Sequence, residues 1–526
     1  MTRKNKSDAK FQRLTCLSAP GKVLVAGGYL VLESPNLGLT ISTSSRFYTS
    51  VRLQPSDGWR LQSGNHLIMK VHSPQFHSCY VYRYDMSTDK VTALGASNAF
   101  VEKCIALTMA FIKQYKKENG TDFCGHISEV GATHFMDITL RADNDFYSQI
   151  QELKRRKAPL LSLSLKDLPR FLPCPKDANG EVQIAKTGLG SSAALTTSLV
   201  ASLLQWFDVT RIGLRPDSED RRIVHNLAQL VHANAQGKIG SGFDVAAAVY
   251  GTQMYRRFSS GGFDACMAET VAPSLIYAAV MQEGAAASIP ASASVNALTD
   301  QRMMEQGGSM PGWSQTIRPF SLPHGVGIVL GDVCGGSSST SMARQVLKWK
   351  REKPQQAEKV WDTLAFANAE IFKIFEQLNL QYQRNPAVFD ATLAWAAEAV
   401  ADVWLDKKDN ETIASLLNLR GQFQLTRQLL KQMGQNAGVH IEPPSQSLLA
   451  DATIVLPGVL AAGVPGAGGE DALFAITLSP QARSRVENMW SEWGKSNSTA
   501  VCPLLLEAGA GLQSGVCALL GNNALL

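Results

Sequence analysis

The stretch KTGLGSSAAL, Lys186 to Leu195, decides how the 526-residue chain is read. Gly188 and Gly190 can adopt positive φ and let the backbone approach a ligand closely. After the loop, Leu195, Leu199, Leu203 and Trp206 fall on one face of a helix. Ahead of it, in EVQIAK (181–186), Val182 and Ile184 alternate with polar neighbours, which predicts a half-buried strand. The order is therefore strand, glycine turn, helix N-terminus. Ser191 or Ser192 is expected to cap the helix, whose free N–H groups carry the positive end of its dipole and suit a phosphate. The loop has neither the Gly-Lys-Ser/Thr ending of a Walker loop nor the G-x-G-x-x-G spacing of a dinucleotide fold. A turn that merely ends a strand and caps a helix would read the same way.

Four other stretches bear on the choice. SAPGKVLVAGGYLVLE (18–33) puts Lys22 after a Pro-Gly turn between apolar segments. It is either a surface turn lysine or a cation awaiting an anion. QGKIGSGFD (236–244) puts Asp244 after a glycine turn, as a helix N-cap or as a catalytic carboxylate. GDVCGGSSSTSMARQVLKWK (331–350) joins the strand VGIVL to a helix with Met342, Val346 and Trp349 on one face, a second helix start rich in hydroxyls. PGAGGED (465–471) is a glycine-rich turn ahead of the strand LFAITL.

The rest of the chain is consistent with a soluble globular protein of two domains. Its length exceeds one ordinary core, and it is 45% hydrophobic and 18% charged. A formal charge of +5 is small for this length. The basic residues of the first thirteen positions and KRRK (154–157) read as solvated surface rather than a nucleic-acid face. Nine scattered cysteines without a CxxC pair suit a reducing compartment and neither a disulfide framework nor a zinc site. No apolar run is long enough for a membrane helix, and the start lacks a signal-peptide core, so the cytosol is expected. NAFVEKCIALTMAFIKQY (98–115) has helical spacing. Residues 142–175 read as a polar excursion from the core, and 284–313, rich in Ala, Ser, Met and Gly, as a long flexible loop. The tail after 497 has no functional reading.

SAPGK, GLGSSAA, GSGFD some fifty residues later and the late PGAGG loop, in that order, resemble the GHMP family of small-molecule kinases. KTGLGSSAAL, ADNDFYSQ, AQGKIGSGFDVAAAVYG and the GD-x-x-GGS…SM…VLKWK passage look like its phosphomevalonate kinases of fungal and plant type. The resemblance spans about residues 18 to 471. It implies an α/β and α+β, two-domain fold: an N-terminal ATP-binding domain over 1–283, and a C-terminal ferredoxin-like domain over 314–526. The active site would lie between them. It implies transfer of the ATP γ-phosphoryl group to 5-phosphomevalonate with Mg²⁺, in isoprenoid and sterol synthesis. The implied partners are these small molecules alone, with no nucleic acid or membrane; the oligomeric state stays open.

Carried over by position, Lys186, Thr187, Gly188, Leu189, Gly190, Ser191, Ser192, Ala193 and Ala194 would hold ATP, with Ser192 a Mg²⁺ contact. Lys22 would stabilise charge and Asp244 match the family's catalytic aspartate. Lys22, Ser241, Gly336, Ser337, Ser338, Ser339, Ser341, Arg344, Gly468 and Gly469 would meet the substrate. There are two departures. Relatives often carry a glutamate about eleven residues before the aspartate, where this chain has Ala233, with Asn234 and Gln236 the nearest hydrogen-bonding groups. Many also have Thr-Pro-Ser-Met where this chain has Ser339-Thr340-Ser341-Met342.

A phosphate-monoester acceptor has a second pKa of about 6 and little proton to give up at neutral pH. Asp244 is therefore expected to orient Lys22, and the metal, rather than to act mainly as a base. The rival readings are another kinase of the family such as mevalonate kinase, the related diphosphomevalonate decarboxylase, an idle nucleotide-binding regulator, or a nucleic-acid module of similar architecture.

Overall fold

The computed structural model describes residues 14–55, 65–121, 123, 134–212, 219–259, 261, 263–282, 313–333, 339–497, 499–504 and 507–514. In chain order its strands are β1 (Leu14–Ala26), β2 (Leu37–Pro55), β3 (His66–Ser73), β4 (Ser78–Asp85), β5 (Lys90–Ala93), β6 (His134–Ala142) and β7 (Gln253–Arg256). There follow β8 (Thr316–Pro319), β9 (Gly327–Asp332), β10 (Val459–Gly463), β11 (Ala472–Thr477), β12 (Cys502–Pro503) and β13 (Gln513–Ser514). They form two sheets. The larger runs β13-β1-β2-β6-β3-β4-β5, with β7 on β2 and β8 on β7; the smaller runs β10-β11-β9-β12. The β3–β6 pair is parallel, and every other ladder is antiparallel.

β1 passes straight through Pro20-Gly21-Lys22, where the sequence predicts a turn. Its register against β2 shifts between Pro20 and Lys22. Proline has no N–H for the ladder, and a bulge lets the strand continue past it. Gly21 is needed there, because a Cβ would lie 2.8 Å from Thr43 Oγ1 and 3.1 Å from the Leu189 carbonyl.

The helix Ser191–Trp206 packs on β1 and β2. Leu199, Leu203 and Trp206 are buried as the spacing predicts, but so is most of its circumference, and Leu195 is only half-buried. Ser198 and Ser202 bridge to Thr49 of β2. The helix Ala99–Glu118 begins where the sequence places it. The Asn98 side chain accepts from the N–H groups of Phe100 and Val101, and Val101, Ile105, Met109 and Ile112 are buried.

EVQIAK is not a strand. Val182 and Lys186 make isolated bridges to Lys176 and Tyr147, and Ile184 is 49% exposed. Alternation showed which side chains could share a face, but no sheet lies there to cover them. The 142–175 passage is less of an excursion than its polarity implies, since Leu153, Leu165, Leu168 and Cys174 join the main core. Most of the expected flexible loop, 284–312, lies outside the described residues; Trp313, at its end, is buried with its indole N–H on the Ala279 carbonyl.

The second half has two long helices packed side by side, Pro354–Arg384 and Glu411–Ala437, and the smaller sheet carries Pro444–Ile454 and Pro480–Ser496. Two pieces of it return to the larger sheet. β8 pairs with β7, and β13 pairs with the outer edge of β1 at Leu17 and Ser18. The returning tail is held by buried arginines. Arg46 donates to the carbonyls of Ala510 and Gly511, and Arg221 to those of Val249 and Leu512. Among the described residues no helix is long and apolar enough to cross a membrane.

Candidate active site

A cavity of about 840 Å³ gathers most of the motifs. One wall is the glycine loop, with Lys186, Gly188, Leu189, Gly190, Ser191 and Ser192, beside Gln236 to Gly242. Tyr29, Leu32, Arg257, Arg344, Leu347, Gly466, Ala467 and Asp471 complete the lining. Lys22 and Asp244 also line it. Another cavity of about 700 Å³, near Asp89, Lys113 and Pro273, contains none of the motifs.

The glycine loop is shaped by backbone rather than by serine caps. Gly188 and Gly190 have φ +77° and +75°. Gly190, not Ser191 or Ser192, is the N-cap of the helix Ser191–Trp206, and it has no side chain to offer the first turn. Ser192 is thereby released to do something else: its Oγ lies 3.2 Å from His232 Nε2. The helix's first-turn N–H groups, with the dipole behind them, are left for an anion. Gly242 (φ +85°) likewise caps the helix Phe243–Tyr250, so Asp244 is not an N-cap but sits in the first turn, its carboxylate accepting from the Val245 N–H at 3.0 Å.

Lys22 is tied to this loop. Its N–H donates to the Leu189 carbonyl and its ammonium to the Gly188 carbonyl, each at 2.9 Å. Burial lowers the Lys22 pKa, and the charge of Asp244 opposes that shift. A Cβ on Gly190 would lie 2.9 Å from Lys22 Cε.

The structure separates the remaining residues singled out from the sequence. Ser241 and Arg344 line the cavity. Thr187 is fully buried with its hydroxyl on the Asp145 carbonyl, and Ala193 and Ala194 are core residues beneath the loop. Gly468 and Gly469 fasten the PGAGG loop to Ile441: a Cβ on Gly468 would lie 2.0 Å from the Ile441 carbonyl, which accepts from the Gly469 N–H. It is Gly466 and Ala467 that reach the cavity. Gly336, Ser337, Ser338 and the side chain of Ser339 lie outside the described residues. Ser341 is exposed in the first turn of the helix Ser339–Glu352, its hydroxyl accepting from Gln345.

Several cavity residues are absent from the motif reading. Tyr29 has φ +64°, costly for a bulky residue, and its hydroxyl donates to the Ala467 carbonyl at 2.7 Å. Arg257 follows β7; its Nη1 donates to the Leu32 carbonyl at 2.6 Å, while its buried Nε has no acceptor among the described residues. Lys238 stands two residues before Gly240. From the helix Glu219–Gln236 the cavity receives Gln229, His232 and Gln236, whereas Ala233 is buried away from it.

The comparisons agree with this geometry. The model of the GHMP kinases N-terminal domain matches residues 170–252, from ahead of the glycine loop to past Asp244. A peroxisomal phosphomevalonate kinase of Arabidopsis thaliana is 34% identical over 500 residues, 90% of this chain and 92% of that protein. The phosphomevalonate kinase of Aspergillus fumigatus is 32% identical over 514 residues, 91% of this chain and 90% of its own. Among solved structures, Streptococcus pneumoniae phosphomevalonate kinase in complex with phosphomevalonate and AMPPNP shares the fold. Its TM-score is 0.51 at 14% identity, covering 95% of this chain and 99% of that one. With identities of this size along nine-tenths of its length, the chain belongs to the phosphomevalonate kinases of the GHMP kinase family.

Proposed function

We propose that the chain transfers the γ-phosphoryl group of ATP to (R)-5-phosphomevalonate, giving (R)-5-diphosphomevalonate and ADP in the mevalonate pathway. The observation that carries this is one cavity lined by a helix start suited to an anion, by Lys22 and by the guanidiniums of Arg257 and Arg344. That many cationic groups in one cavity suit two phosphate-bearing molecules. Of the family readings, a phosphorylated acceptor is favoured over mevalonate by Arg257, whose buried Nε has no acceptor among the described residues.

In this reading the glycine loop holds the ATP phosphates through its N–H groups, and the acceptor phosphate lies against Arg257 and Arg344. An oxygen of the acceptor dianion bonds to the γ-phosphorus as the bond to the β-bridging oxygen breaks, and ADP leaves with that electron pair. Catalysis is then a matter of alignment and charge neutralisation. Lys22, fixed by Gly188, offsets charge at the transferring group, and the charge of Asp244 opposes the fall that burial imposes on its pKa.

The residues present fit Mg²⁺, which takes oxygen ligands from one or two side chains and the rest from phosphates and water. Ser192 Oγ and the Asp244 carboxylate would hold it. Bound, it would neutralise charge on the ATP phosphates. Among the described residues no group of three His, Cys, Asp or Glu forms a closed metal cage, which suits an ion shared with a nucleotide.

We place the working protein in the cytosol, a reading supported by free cysteines at 16, 79, 104, 174, 266 and 502; imaging of a tagged chain checks it. The proposed lobes are 1–283 and 314–526, with β8 and 507–514 returned to the first. The decisive test is ADP release with phosphomevalonate, mevalonate and diphosphomevalonate supplied separately. Turnover of phosphomevalonate alone is expected; turnover of mevalonate alone overturns the assignment.

A further inference from the structure

We infer that His232 and Gln236 are positioning residues which turn the Ser192 hydroxyl so that its lone pairs face the metal of the bound nucleotide. The inference rests on the ATP-binding reading of the glycine loop.

His232 and Gln236 stand one helical turn apart on the same face of the helix Glu219–Gln236. His232 is 4% exposed and meets the edge of the Phe100 ring. The Gln236 side-chain amide donates to His232 Nε2 at 2.8 Å. That nitrogen therefore carries a lone pair, and the ring's proton is on Nδ1. Ser192 Oγ lies 3.2 Å from the same Nε2, so the serine O–H shares that nitrogen's single lone pair with the Gln236 amide in a three-centre contact. Gln236 also reaches Ser192 Oγ at 3.5 Å. A serine whose proton is drawn toward the imidazole, and which accepts weakly from Gln236, keeps an oxygen lone pair for the cavity side, where a cation at the nucleotide phosphates would meet it.

The helix explains why this arrangement stands where relatives often have a glutamate. Its cavity face carries Gln229, His232 and Gln236, all without negative charge, and Ala233 points into the core. A metal here gains no carboxylate from this helix. What the helix supplies instead is orientation of a neutral ligand, and groups that orient a ligand commonly change metal affinity by about 10–100-fold when removed.

The test is calorimetric titration of the full chain with AMPPNP, once with Mg²⁺ and once with EDTA. The gain in affinity given by Mg²⁺ is expected to fall about 10-fold in His232→Phe, which keeps a ring beside Phe100. Affinity in EDTA should stay within about 2-fold of the unaltered protein, since the N–H groups of the loop are untouched. Ser192→Ala should show the same loss, and the double variant no further loss, because both act through one contact. Gln236→Leu, at an exposed position, should show a smaller loss of the same kind and covers the case where His232→Phe does not fold. A full Mg²⁺ gain in both His232→Phe and Gln236→Leu, or equal losses with and without Mg²⁺, overturns the inference. If the unaltered protein binds no AMPPNP under either condition, the ATP reading itself falls with it.

Discussion

The Lys22 ammonium donates to the Gly188 carbonyl at 2.9 Å, although the two residues lie on different elements far apart in sequence. The cation is thus part of the glycine loop, and Lys22 sits on β1 directly after the register shift at Pro20. A loop without a Walker lysine has acquired one from a strand.

Replacing Lys22 by methionine should therefore lower kcat by about 100-fold or more, the usual loss when one preorganised charge is removed. Steady-state kinetics with an unchanged circular-dichroism spectrum checks this. Unaltered turnover would remove Lys22 from the mechanism.

Asp244→Asn separates orientation from base catalysis. If Asp244 acts through the charge of Lys22, the variant's kcat deficit persists across the pH–rate profile. A deficit that vanishes at high pH, where no base is needed, would restore the base role.

Gly190→Ala meets two obstacles, φ +75° and a Cβ 2.9 Å from Lys22 Cε. A loss of about 1–2 kcal/mol in stability is expected from the positive φ alone. A raised KM for ATP should accompany it, because the loop must shift. Thermal melting and nucleotide titration report the two effects separately.

Arg257→Met should raise KM for phosphomevalonate by about 10-fold or more, the loss expected of one charge-assisted bond of about 1.5–3 kcal/mol. KM for ATP should stay nearly constant. Equal changes in both constants would place Arg257 in the scaffold instead.

Stability should fall in mild acid. Burial pushes the His225 imidazole down to about 4, among Asn226, Gln315, Tyr250 and Trp313. Its folded pKa lies below the ordinary value of about 6.5, so the unfolded chain takes up the proton first. The contribution is intact above about pH 6.5 and is lost progressively as pH falls to about 4. Melting temperature between pH 7 and 4.5 should decline less steeply in His225→Gln.

The glycine motifs were legible because positive φ and close backbone approach leave few residue choices. The helices were legible from apolar spacing, as Val101 to Ile112 shows. Arg257 and His232 were not. One is a basic residue at a strand end and the other a histidine on an amphipathic helix, and both patterns are commonplace until the fold brings Leu32 to the first and Ser192 to the second. The serine caps failed for a related reason. Glycine at 190 could make the left-handed turn itself, so the Ser192 hydroxyl beside it was free to meet His232. EVQIAK shows the limit of periodicity, which cannot tell whether a partner strand exists.

The pairing of β1 with β13 has a consequence for how the protein is made. The strand that carries Lys22 has one edge left open until residues 507–514 arrive, and Arg46 and Arg221 wait for carbonyls on that same segment. Emerging from the ribosome, the first sheet can assemble but cannot close until nearly all of the chain has been synthesised. Contacts so distant in sequence form late and slowly. Catalytic competence should thus appear as one of the last events of folding, and chains cut short before residue 507 should expose an unsealed strand edge to chaperones.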